Sequence, residues 1–246
     1  MTGWKSAVGI AALCALALSA FAANASAEQN AFYCADNAGS EDFSDSHCVT
    51  WVGSGNGSKG HEEFEPYTEY SVTATNAATA SGTEVAAVSK LLGALSGVAT
   101  EVQCTGLSGS GELINFLTSV ETAGVISYSG CTVTKPSGKG CVVKGGAVTT
   151  NTLRATNFLQ AANTLKFEPS ELSALATVTI EKCSVGALNN SFSVTGSFVA
   201  SVSGATTTTT HAAVTSQNTL KFGGVKAGIE GAMTIRWAGV VPVTLT

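Results

Sequence analysis

Charge is scarce in this chain. Only 12% of its 246 residues are Asp, Glu, Lys or Arg, about half the share usual in soluble proteins, and twelve bases against seventeen acids give a formal charge of −5. No basic surface can therefore neutralise a run of phosphates, which argues against nucleic acid as a partner. Histidine is almost as rare, with His47, His61 and His211 alone, although proton transfer near neutral pH relies on it most often. Apolar runs long enough to approach a membrane span are missing after residue 22, and the segment from Val240 to Thr246 is far short of the roughly 20 residues a spanning helix needs.

The one long apolar run, Ala7 to Ala22, follows Lys5 and leads into Ala25-Ser26-Ala27. A positive end, an apolar middle and a small-residue cleavage site are the parts of a secretory signal peptide, so residues 1–27 read as a leader and Glu28 as the first mature residue. Its loss removes Cys14 and leaves six cysteines, Cys34, Cys48, Cys104, Cys131, Cys141 and Cys183. In an oxidising compartment an even number implies up to three disulfides, with fifteen connectivities open. Local spacing favours Cys34 with Cys48; in the body the preferred assignment is Cys131 with Cys141 across a hairpin and Cys104 with Cys183.

Charge divides the mature chain. Residues 28–70 hold nine acids and one base, a net of −8, whereas ten bases face eight acids from Ser71 onward. This predicts an acidic, cysteine-closed module over 28–66, separable near Pro66 from a body over 67–246. The body alternates Val, Ile, Thr and Tyr with polar residues between Gly, Ser and Asn turns, which predicts a mainly β fold, a β-sandwich or jelly-roll-like body. Strands are expected at 70–75, 98–104, 124–130, 147–153, 175–182, 191–202, 206–212, 219–222 and 232–237. Over 84–99 helical spacing competes, but Gly93 and Gly97 favour two strands meeting at Ser96-Gly97. Asn163-Thr164-Leu165-Lys166-Phe167 returns as Asn218-Thr219-Leu220-Lys221-Phe222, suggesting a strand-loop-strand unit used twice, over 163–185 and 218–240.

Catalytic patterns are incomplete. Gly106-Leu107-Ser108-Gly109-Ser110 lacks the last glycine of a hydrolase elbow, and His61-Glu62-Glu63 has no second histidine one helical turn on. Gly55-Asn56-Gly57-Ser58-Lys59-Gly60 matches G-x-G-x-x-G, yet the acidic, Pro-broken stretch after it reads as linker rather than as a nucleotide site. The chain is therefore expected to be no enzyme and to need no cofactor. Asp36, Glu41, Asp42 and Asp45, enclosed by Cys34 and Cys48, supply oxygens of the kind calcium takes, but without EF-hand spacing; they are calcium candidates beside the reading of a solvated acidic loop. The threonines of 206–210 read as an ordinary strand rather than an ice-binding array. Trp51, Tyr67 and Tyr70 form a candidate contact surface or cover the seam between module and body.

The stretches Phe43-Ser44-Asp45-Ser46-His47-Cys48, Gly97 to Cys104, Tyr128-Ser129-Gly130-Cys131-Thr132 and Leu220 to Gly224 with Ile229-Glu230-Gly231 together resemble a large group of uncharacterised secreted β-rich bacterial proteins. The resemblance implies export, disulfides and an all-β body, and it assigns no functional residue. The expected function is that of an exported cell-envelope or extracellular binding or structural protein whose partner is cationic. The rival is a secreted hydrolase using a carboxylate pair among Glu62, Glu63 and Glu65.

Overall fold

The computed structural model describes residues 31–36, 41–42, 44, 51–76, 88–116, 119–157, 164–171, 174–203, 206–210, 218–237 and 241–245. The expected leader, Cys48 and Asp45 lie outside them. The protein is mainly β, and the helical elements among the described residues are two short 3-10 turns, Lys144–Gly146 and Gly186–Leu188. The strands begin with β1 (Ala31–Asp36), β2 (Lys59–Glu63), β3 (Glu69–Asn76), β4 (Ser89–Leu95), β5 (Val98–Cys104), β6 (Gly106–Asn115) and β7 (Val120–Ser129). Then come β8 (Thr132–Lys135), β9 (Val142–Val143), β10 (Ala147–Thr149), β11 (Leu153–Asn157), β12 (Thr164–Pro169), β13 (Ala176–Glu181) and β14 (Asn190–Thr195). The last are β15 (Phe198–Ser203), β16 (Thr206–Thr210), β17 (Lys221–Phe222), β18 (Val225–Lys226), β19 (Gly228–Trp237) and β20 (Val241–Leu245).

Eight of these strands close on themselves. Antiparallel pairing runs from β19 to β3, β6, β7, β11, β12, β15 and β16, and β16 pairs back to β19. Directly opposed residues share a face, so the inside of the ring can be traced by register. Val72 faces Gly111, Gly111 faces Gly124, and Gly124 faces Leu153; Ala155 faces Phe167, which faces Phe198; Ile235 returns to Ala74 beside Val72. The side-chain parity never switches, and the inward residues Val72, Leu153, Ala155, Phe167, Phe198 and Ile235 are all buried. An eight-stranded ring is just wide enough for side chains to fill or for one small ligand. Its two facing walls act as the layers expected of a sandwich, but hydrogen bonds join them at β19.

Glycine sets the closest approach in this wall. A Cβ built on Gly111 would lie 2.2 Å from the Ala123 carbonyl oxygen and 2.8 Å from the Gly124 Cα, so β6 and β7 could not keep their spacing around any larger residue. Gly111→Ala is expected to destabilise the fold by about 1–3 kcal/mol, the usual cost of forced overpacking. Urea denaturation of the variant checks this; an unchanged midpoint would show that the wall yields freely.

A second layer branches from the N-terminal end of β19 through β4, β5, β8, β9, β13, β14 and β17. The β4–β5 hairpin turns at Ser96 and Gly97, both with positive φ, as the sequence predicts. The expected strand 191–202 breaks at Gly196, with φ +90. There the chain leaves β14 in the second layer for β15 in the ring. The two similar stretches take different partners: β12 pairs with β11 and β15, whereas Lys221–Phe222 pairs with β14 and β18.

The body disulfides differ from the preferred assignment. They are Cys104–Cys131 and Cys141–Cys183. Gln103 faces Thr132 across β5 and β8, and the same register one step further brings Cys104 opposite Cys131. The hairpin between β8 and β9 pairs Thr132 with Val142, which puts Val143, not Cys141, opposite Cys131. A diagonal offset of two residues separates Cα atoms by about 7–8 Å, beyond the reach of a disulfide. Cys141 instead meets Cys183 at the end of the β9–β13 pairing. Cys34 is also disulfide-bonded; its expected partner lies outside the described residues.

The acidic segment is tied into the body. β1 pairs with β20 as well as with β2, Phe64 is fully buried in the common core, and Pro66 bridges to Asn115 at the end of β6. These ties argue against a module that can be cut away near Pro66 while the body stays folded.

Candidate functional site

The segment from β2 into β3 carries Glu62, Glu63, Phe64, Glu65, Pro66, Tyr67, Thr68 and Glu69. Phe64 turns inward between the rings of Tyr33 and Tyr70, with centroids 5.0 and 4.6 Å away. Glu62, Glu63, Glu65, Tyr67 and Glu69 remain exposed. The turn is held from several sides. The Tyr67 amide donates to the Asn115 carbonyl (2.8 Å), and the Glu65 amide donates to the Tyr70 hydroxyl (3.1 Å). The fully buried Asn115 side chain accepts from the Ala31 amide (3.0 Å) and donates to the Phe64 carbonyl (3.0 Å) and to Glu63 Oε1 (3.1 Å).

Tyr67 has φ 62, a left-handed backbone that bulky residues seldom adopt. Its side chain is 65% exposed, with the ring edge against Phe116 at 5.7 Å. An aromatic residue held in an unfavourable backbone state and presented to solvent, among four exposed glutamates, is the most site-like feature of this region. Trp51 is equally exposed but makes no ring contact with Tyr67 or Tyr70 among the described residues. Tyr70 buttresses Phe64.

Of the calcium candidates, Asp36 forms an ion pair with Lys59, and Asp42 accepts from the Gly55 amide at 3.1 Å. The carbonyls of Glu41 and Asp42 accept from Gly57 and Val52. Among the described residues no three His, Cys, Asp or Glu side chains gather as metal ligands. The Gly-rich stretch is thus folded back onto the acidic loop, an arrangement its linker-like composition concealed. Glu62 and Glu63, as neighbours in one strand, point to opposite faces and do not form a converging pair.

Burial, a hydrogen bond to Glu62 and the charges of Glu62 and Glu65 push the Tyr33 phenol up to about 12, and burial does the same to Tyr128. Both folded values lie above the ordinary 10.0, so the unfolded chain loses these protons first. Stability is therefore expected to fall as pH rises from 10 towards 12, less steeply in Tyr33→Phe or Tyr128→Phe. Tyrosinate absorbance and unfolding midpoints over that range check it; identical curves for all three proteins would refute it.

Comparison with protein-family models, curated proteins and solved structures finds no match to the chain. No helix among the described residues is long and apolar enough to cross a membrane.

Proposed function

We propose that the protein is an exported contact protein of the cell envelope or extracellular space, without catalytic function, that binds a cationic partner through the acidic turn bearing Tyr67. The observation that carries this reading is the pinned, left-handed Tyr67 exposed among Glu62, Glu63, Glu65 and Glu69. Carboxylates attract a cation over a distance, and an exposed aromatic face adds about 0.5–1 kcal/mol when the cation docks on it. The disulfides support a non-cytoplasmic setting.

The test uses immobilised polylysine, with polyglutamate as the control surface. Binding to polylysine should weaken as salt rises, fall about tenfold or more in the Glu62→Gln, Glu65→Gln, Glu69→Gln triple variant, and fall a few-fold in Tyr67→Ala. A triple variant that binds like the native protein refutes the site. Hydrolysis of a glycan or ester panel lost in Glu62→Gln or Glu65→Gln would replace the contact reading with the hydrolase one.

A further inference from the structure

Among the described residues, three strands pair on one side only: β2 with β1, β10 with β7 and β18 with β17. β10 has three residues and β18 two, so β2, with five, is the longest open edge. Register shows which of its backbone groups point outward. The Phe64 amide donates to the Ala31 carbonyl at 3.1 Å, in phase with the pairing of Tyr33 with Glu62 and of Ala35 with Gly60. In an antiparallel pair every second residue directs its N–H and C=O at the partner strand. Gly60, Glu62 and Phe64 therefore face β1, and the backbone groups of Lys59, His61 and Glu63 face away from it.

An open edge is commonly blunted by charge, and here the charge is selective. Glu62 and Glu63 are both exposed, on opposite faces of the strand, and Glu65 and Glu69 follow in the same turn. The strand's own base, Lys59, is already paired with Asp36. An acidic strand laid against β2 would set like charges opposite one another, whereas Lys or Arg opposite Glu62 or Glu63 forms a favourable cross-strand pair. The same carboxylates thus reject one class of chain and favour another.

We propose, taking the acidic turn as the cation-binding surface, that β2 accepts an extended peptide segment with Lys or Arg at alternate positions, which adds to the sheet as a further strand. Main-chain hydrogen bonds to Lys59, His61 and Glu63 hold it, and the glutamates select it. The cationic partner is then an extended chain, not a folded basic surface or a small cation.

The probe is a short peptide of alternating Thr and Lys, compared with the same peptide N-methylated on adjacent central residues, which keeps the charge and blocks both of its edges. Amide hydrogen exchange on the full chain locates the contact. The unmodified peptide should slow exchange at Lys59, His61 and Glu63 and bind about tenfold more tightly than the N-methylated one, the worth of one or two hydrogen bonds. His61→Pro, which removes an amide that β1 does not use, should bind both peptides alike; the comparison of peptides on the native protein needs no variant to fold. Equal binding of the two peptides without protection in β2, or binding of polylysine but of neither peptide, would overturn strand addition and leave the cation-binding reading in place. No binding of polylysine or of either peptide would remove that reading and this inference with it. Protection confined to β10 or β18 would overturn the choice of edge. Protection of β2 that rises with protein concentration in the absence of peptide would give the edge to a second copy and overturn the proposed partner.

Discussion

Replacing all four body cysteines by alanine is expected to leave the protein largely unfolded. The bonds Cys104–Cys131 and Cys141–Cys183 close segments of 27 and 42 residues, and the chain-entropy relation assigns them roughly 3.5 and 4 kcal/mol. A domain's whole stability is about 5–15 kcal/mol, so losing both removes a large share of it. Packing works against this order, because Cys104 and Cys131 are both buried whereas Cys141 is only partly so, and the two pairs are expected to cost similar amounts. Chemical denaturation of Cys104→Ala/Cys131→Ala, of Cys141→Ala/Cys183→Ala and of the fourfold variant tests this. Losses under about 1 kcal/mol per pair would mean that strand register holds these segments without help.

Asn115→Ala is expected to cost about 2–5 kcal/mol. It removes the partners of two buried backbone groups, the Ala31 amide and the Phe64 carbonyl, and each buried group left unsatisfied costs about 1–3 kcal/mol. The loss should also have a local signature. Hydrogen exchange at the Ala31 amide should accelerate before that of the ring strands does, because β1 would be held only by β2 and β20. Urea denaturation with amide exchange reads both effects. A midpoint within experimental scatter of the native one would show that water replaces the Asn115 side chain.

What the sequence discloses is local. Alternation located β5 at 98–104 to the residue and β3 to within one residue at each end, because a strand with one buried face has a period of two. The Ser96-Gly97 turn was legible for a similar reason, since a two-residue hairpin loop requires positive φ. β6 was not legible. Its Gly106-Leu107-Ser108-Gly109-Ser110-Gly111 start has poor strand propensity, and only the opposing glycine of β7 explains why it is a strand. The disulfide pattern depended on which strands are neighbours, and β5 meets β8 across an intervening pair, β6 and β7, that spacing does not reveal. The contact surface was half legible. The carboxylates and Tyr67 were visible in the composition, but Asn115, which fixes the turn, is hidden in Leu113-Ile114-Asn115-Phe116. The available signal was its phase: it falls two residues after the buried Leu113, so an amide occupies an inward position.

The pairing of β3 with β19, and of β1 with β20, joins segments far apart along the chain. At least 150 residues of chain separate Asn76 from its neighbour Met233, and such distant contacts must wait for the entropy of a large loop to be overcome. Early strands can form hairpins while the chain is still emerging, but the ring has no last wall until β19 is available. Without β19 the ring is an unclosed sheet whose β3 and β16 edges are unpaired on that side, and such edges are templates for pairing with another chain.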